Sequence, residues 1–269
     1  MKIIGDYHVH TPFCPHGTND AWEDYIVKAI EMRLAEISFT EHAPLPRSFT
    51  DPVPEKDSAM ALEQLEMYFQ QGEALKLKYQ EQIKINIGLE VDFIEGYEQE
   101  TRQLLDYYGK RIDDAILSVH MLKLKNGEYV CLDYSEQEFG KIIEQCGSVE
   151  AVYQLYYQTV LLAIEADLGS YKPTRMGHLS LVEKFQKKYP SQFDNFELIE
   201  QILQLTKTKN YSLDLNTAGL YKPLCQSIYP NQQIIDRALA LDIQLKPGSD
   251  SHQSTTIARG FDKIEKYFS

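Results

Sequence analysis

Across the 269 residues of this chain, short apolar runs alternate with longer amphipathic stretches, and no other feature limits its possible folds as tightly. The runs at 3–7, 36–40, 85–91, 115–119, 176–178, 211–215 and 243–247 read as strands. The stretches at 22–32, 59–84, 97–108, 149–167, 196–208, 231–241 and 260–268 read as helices, with Asp57-Ser58 and Asn231 as caps for two of them. Strands that alternate with helices pair in parallel and carry the helices outside. The count of such strands is right for a closed or nearly closed α/β barrel. The Pro-containing segment 43–54 is a long loop after the second strand, and loops of that length often carry function. No Gly/Ser linker, repeat or low-complexity segment divides the chain, so residues 1–269 are expected to form one domain.

Charge narrows the partners. With 27 Lys+Arg against 40 Asp+Glu the formal net charge is −13. That balance argues against nucleic-acid or anionic-membrane binding, both of which need a positive surface. No run of about 18 apolar residues is present, so no membrane-spanning helix is expected. Residues 1–6 lack a signal-peptide core, and the four cysteines (Cys14, Cys131, Cys146, Cys225) show no CxxC spacing. Both features point to reduced thiols and a cytoplasmic protein.

The placement of the seven histidines carries the functional signal. His8 and His10 end the first strand, His16 follows in the loop, and His42 ends the second strand. His120 and His178 end later strands, and His252 closes the segment Gly248-Ser249-Asp250-Ser251-His252. Glu90 and Asp250 occupy equivalent positions. In a parallel barrel those strand ends converge on one face, where active sites are built. Residues i and i+2 of a strand share a face, so His8 and His10 can reach one ion. Glu90 lies among apolar neighbours, and a buried carboxylate needs a charged or metallic partner. The set exceeds the four positions of a single tetrahedral site and predicts a cluster of three divalent ions. Imidazole and carboxylate donors suit zinc, iron or manganese alike. Cys14, close to His16 in sequence, reads first as a small buried thiol.

The motifs His8-Val9-His10, His16, Glu41-His42, Glu90, His120, Gly177-His178 and Ser249-Asp250-Ser251-His252 resemble those of the polymerase-and-histidinol-phosphatase (PHP) family over nearly the whole chain. Within the family the likeness is to its histidinol-phosphatases, through Phe39-Thr40-Glu41-His42-Ala43-Pro44, Gly88-Leu89-Glu90-Val91-Asp92, Ser118-Val119-His120 and Asn216-Thr217-Ala218-Gly219-Leu220. The resemblance implies a distorted (β/α)7 barrel with three metal ions and the hydrolysis of L-histidinol phosphate by a metal-bridged hydroxide. It implies a first ion on His8, His10, Glu90 and Asp250, and a second on Glu90, His120 and His178. The third would lie on His16, His42 and His252. Clustered cations would make the site locally positive despite the acidic chain, which suits a small anionic phosphate monoester.

Asp250 and His252, with Glu90, are the expected catalytic residues. Arg175, three residues before His178, is expected at the same rim as a fork for phosphate oxygens, with Arg47, Lys222 and Arg259 as further candidates. Where relatives would place an arginine near Gly219-Leu220, this chain has Tyr221-Lys222. Glu41, Asp92, Phe13 and Tyr221 are candidate partners for the aminoalcohol and imidazole of a histidinol moiety. Three rival readings remain at this stage. They are a PHP phosphoesterase for another small ester or nucleotide, an amidohydrolase-like enzyme, and a metal-binding module without catalysis. The second would leave His16, His42 and His252 without a task, and the third would be favoured by missing ligands.

Overall fold

A computed structural model describes residues 3–192 and 196–268. Its main sheet contains β1 (Gly5–Val9), β2 (Glu36–His42), β3 (Lys84–Asp92), β4 (Asp114–Ser118), β7 (Arg175–Met176), β8 (Ser212–Asn216) and β9 (Leu245–Gly248). These seven strands lie in that order and every pairing is parallel. The chain continues past β9 to pair with β1, through an isolated parallel bridge between Val9 and Ser251. Asp250 N donates to His8 O at 2.8 Å and His10 N to Ser251 O at 2.9 Å. The distorted (β/α)7 barrel is therefore zipped shut at the C-terminal ends of its strands, by segments that carry four of the expected site residues.

Six helices cross between the barrel strands: α1 (Trp22–Glu31), α2 (Leu65–Tyr79), α3 (Glu98–Tyr108), α5 (Val149–Glu165), α6 (Phe196–Thr208) and α7 (Gln232–Ala240). Their apolar residues fall at helical spacing, as with Trp22, Tyr25, Ile26 and Ala29 of α1, all buried. The strands are buried on both faces because helices cover one side and the barrel interior the other, as in β3, buried throughout its second half, with Ile85, Ile87, Leu89 and Val91 on one face and Glu90 and Asp92 on the other. Asn231 does cap α7, its side chain accepting from Ile234 N at 3.2 Å.

Several expectations are corrected. The helix expected at 59–84 starts only at Leu65, after a short 3-10 turn, and ends at Tyr79 because Lys84 already begins β3. Asp57-Ser58 caps nothing; Ser58 is tied instead to the Asp51 carboxylate. The stretch 260–268 is two 3-10 turns rather than a helix. Between β4 and α5 the sequence reading missed a small antiparallel hairpin, β5 (Met121–Lys123) with β6 (Tyr129–Cys131), followed by α4 (Glu136–Cys146). Among the described residues no helix is long and apolar enough to cross a membrane.

Candidate metal centre at the barrel mouth

The histidines meet where the barrel closes. His8 and His10 leave β1 on one side and interleave with His42 from the end of β2, Glu90 from β3 and His178 from the segment after β7. Ring centroids are 5.4 Å apart for His8 and His10, 4.2 Å for His10 and His42, 3.9 Å for His10 and His252, and 4.8 Å for His120 and His178. His16 completes the group, 5.1 Å from both His42 and His252. Two backbone features make this density possible. A Cβ on Gly248 would lie 2.5 Å from both Asp214 Oδ1 and His8 Cβ, so no larger residue fits there. Asp250 takes a left-handed conformation (φ 53°), which is rare outside glycine and turns its carboxylate back over His8 and His10.

Glu90 sits at the centre. Its Oε1 accepts from Ser118 Oγ at 2.5 Å and lies 3.0 Å from His178 Nε2. Its Oε2 has no hydrogen bond, yet stands 3.3 Å from His8 Nε2, 3.5 Å from His10 Nε2 and 3.2 Å from His42 Nδ1. Those three ring nitrogens are likewise buried without hydrogen bonds. The Nε2 atoms of His120 and His178 face each other at 3.1 Å.

The outward nitrogens of five of these rings are held from behind. His8 Nδ1 lies 2.7 Å from Asp214 Oδ2, His10 Nδ1 3.2 Å from Glu41 Oε1, and His120 Nδ1 2.6 Å from Asp92 Oδ1. His16 Nδ1 donates to Asp57 O at 2.8 Å and His252 Nδ1 to Asp250 O at 3.0 Å. An imidazole that donates through one nitrogen presents the lone pair of the other inward, the arrangement by which proteins aim histidines at metals.

The charge distribution calls for cations. Burial pushes the carboxyls of Glu90 and Asp250 up, but the surrounding imidazoles, His8 foremost, hold both well below the ordinary carboxylate range. Burial opposes a charge on His10, yet Asp250 and Glu41 raise it to about 9; Asp92 likewise raises His120 to about 10. Burial, then the charge on His10, keeps His42 and His252 well below the usual imidazole range. Unpartnered buried donors, inward lone pairs and anionic carboxylates together fit divalent cations, with donor atoms grouped as His8, His10 and Glu90, and as Glu90, His120 and His178.

The cluster opens into a cavity of about 520 Å³ whose wall includes Lys184, Tyr221, Lys222, Tyr229, Asp133 and Arg259. Arg175 is absent from it. Arg175 starts β7, three residues and about 10 Å of strand below His178. Its Nη2 donates to Tyr7 O at 2.8 Å and Asp114 Oδ2 at 3.0 Å, and it borders a cleft at the opposite, N-terminal end of the barrel. Arg47 is exposed in a separate groove beside Phe49 and Met60. Lys222 and Arg259 do reach the cavity, and Arg259 stacks 3.5 Å from the Tyr221 ring centroid.

Three of the four candidate histidinol partners are otherwise engaged. Glu41 is fully buried and serves His10, His42 N and Thr11; Asp92 serves His120; Phe13 packs edge-on to Trp22 and Tyr68. Of the four, Tyr221 and Asp92 line the cavity, Asp92 with its Oδ1 already bonded to His120. Asp214 and Lys184 were missed from sequence. Lys184 is bonded to Asp133, at 2.9 Å to Oδ2, and lies on the 3-10 turn Leu181–Phe185 directly after His178. Asp214 alternates with inward-facing Asn216 on β8, a period-2 signal that could have exposed it.

Comparison with known proteins agrees with this geometry. The family model described as the PHP domain matches residues 6–218. A histidinol-phosphatase of Bacillus subtilis is 44% identical over 259 residues, covering 96% of each chain. A structure named for the histidinol phosphatase HisK of Listeria monocytogenes superposes with TM-score 0.93 at 41% identity, covering 96% of this chain and 99% of that one. The histidinol phosphate phosphatase of Lactococcus lactis, solved with zinc, L-histidinol and phosphate, shares the fold at TM-score 0.70 and 23% identity, over 97% and 92% of the two chains. The chain belongs to the PHP domain family, among its histidinol-phosphatases.

Proposed function

We propose that this chain hydrolyses L-histidinol phosphate to L-histidinol and phosphate in histidine biosynthesis, using three divalent transition-metal ions at the barrel mouth. One observation carries the reading: buried ring nitrogens of His8, His10 and His42 face an unpartnered oxygen of Glu90, with no hydrogen bond to account for any of them. We assign His8, His10, Glu90 and Asp250 to one ion, Glu90, His120 and His178 to the second, and His16, His42 and His252 to the third. Zinc, iron and manganese all suit these donors. When bound, such ions neutralise phosphoryl oxygens and activate water at neutral pH.

The chain's own residues do the rest. Glu90 joins two ligand groups in one carboxylate. Asp250 and His252 line the cavity with partly exposed side chains and, in this reading, orient the water whose proton the leaving alkoxide takes up. Lys184, Lys222 and Arg259 supply cations for the phosphate oxygens, the role that Arg175 and Arg47 are too far away to fill. The substrate is a small phosphate monoester, with no nucleic-acid or membrane partner. Four free cysteines suit a reducing compartment, and we place the protein in the cytoplasm as one PHP-type domain over residues 1–269.

The test is phosphate release from L-histidinol phosphate, p-nitrophenyl phosphate and a nucleoside monophosphate by metal-analysed protein. All three offer the same phosphoryl group, so preference must come from contacts to the histidinol moiety. A kcat/KM about 30- to 900-fold higher for L-histidinol phosphate is expected, from two contacts of roughly 1–2 kcal/mol each. Equal turnover of the nucleotide would refute the substrate and leave a metal-dependent phosphoesterase.

A further inference from the structure

Cys14 lies in the loop between β1 and α1, inside a tight turn where its N donates to Thr11 O at 3.0 Å and Gly17 N donates to Cys14 O at 3.1 Å. That loop is stapled to the closing segment after β9. Thr18 N and Tyr25 Oη both donate to His252 O, at 3.2 Å and 3.0 Å. The staple brings Cys14 against the histidines. One donor atom each from His10, Cys14, His42 and His252 lie within 4.8 Å of one another. A buried cysteine ordinarily packs as a small apolar group. This one instead faces a polar cluster in which His10 Nε2 and His42 Nδ1 are buried without hydrogen bonds.

We propose that Cys14 is a thiolate donor to the cation held by His42 and His252, an inference that rests on the metal-centre reading above. On binding, the S–H bond of Cys14 breaks, sulfur keeps the electron pair and bonds the cation, and the proton leaves to solvent. The centre then carries one more negative donor than the imidazoles and carboxylates alone provide. A thiolate is softer than either, so this position selects zinc or ferrous iron over manganese and magnesium. Cys131 also borders the cavity, but its Sγ is engaged with Asp133 Oδ1 at 3.3 Å. Among the described residues it belongs to none of the groups able to hold an ion.

X-ray absorption on the zinc-loaded wild-type protein tests this without a variant. One sulfur scatterer at about 2.3 Å is expected beside nitrogen and oxygen at about 2.0–2.2 Å. In the cobalt-loaded protein a sulfur-to-cobalt charge-transfer band is expected, absent in Cys14→Ser and retained in Cys131→Ser. One cobalt should bind at least about tenfold more weakly in Cys14→Ser. Full zinc occupancy with no sulfur scatterer, or a band that survives in Cys14→Ser, overturns the role of Cys14 and leaves the metal centre standing. Failure of the wild-type protein to bind zinc or cobalt overturns the metal centre, and this inference with it.

Discussion

Asp214→Asn removes one negative charge from the wall of the metal centre while keeping the side chain's shape. Asp214 is fully buried on β8, and its Oδ2 accepts from His8 Nδ1 at 2.7 Å and from Asn216 Nδ2 at 3.2 Å. Its part is indirect: it fixes the tautomer of His8 and makes the inward Nε2 a stronger donor. An asparagine oxygen keeps the hydrogen bond and loses the charge. Loss of such a supporting carboxylate costs about 10–100-fold in metal affinity, or about 1.4–2.7 kcal/mol. Asp214→Ala also strands His8 Nδ1 in the interior, which adds about 1–3 kcal/mol of destabilisation. Zinc affinity is measured by competition against a chromophoric chelator, alongside turnover of L-histidinol phosphate as zinc is raised. Asp214→Asn should shift the zinc dependence of turnover to higher concentration, and Asp214→Ala should also melt earlier. A folded Asp214→Asn protein whose zinc affinity stays within about threefold of wild type would falsify the supporting role.

Arg175→Ala should lower thermal stability, by about 1–3 kcal/mol for the partly buried pair with Asp114, and leave KM for phosphate esters within about twofold; a large rise in KM at unchanged stability would return Arg175 to the substrate. Metal affinity should rise with pH between about 6 and 9, because protons on His10 and His120, raised to about 9 and about 10, must be displaced by the ion. Proton release on zinc binding, read by calorimetry in buffers of different ionisation enthalpy, checks this, and a flat pH dependence contradicts it. Burial raises Glu183 to about 7, so the folded state holds a proton there that the unfolded chain has already lost, and stability should fall as pH rises from about 4.5 to 7. Glu183→Gln should abolish that fall, a gain on the order of 1–3 kcal/mol at pH 8 by chemical denaturation, and an equal pH dependence in both proteins would refute it.

Much of the site was legible in the sequence for a geometric reason. Parallel strands in a barrel bring their C-terminal ends to one face whatever the helices between them do, so residues at strand ends converge without knowledge of the packing. His8, His10, His42, Glu90 and His120 were found that way, and Asn231 as a cap because capping is local. Longer reach was not legible. Arg175 and His178 are close in sequence, but three residues along a strand separate the two ends of a barrel layer, and only the register shows that Arg175 bonds Tyr7 and Asp114 below. Lys184 has no local signature, since its placement depends on a 3-10 turn that the pattern did not announce.

The alternation of apolar runs determined the barrel, its parallel strands and the face on which the histidines gather. Tertiary structure decided which nitrogen of His8, His10, His16 and His120 turns inward, because that choice is made by Asp214, Glu41 and Asp92, distant in sequence from the rings they hold, or by the backbone carbonyl of Asp57. It also decided that Glu41 holds the ring of His10 and Asp92 that of His120, and that Cys14 joins the histidines through a staple between two ends of the chain. Periodicity specifies which face a residue occupies, whereas a hydrogen bond depends on distance and angle between side chains that only packing brings together.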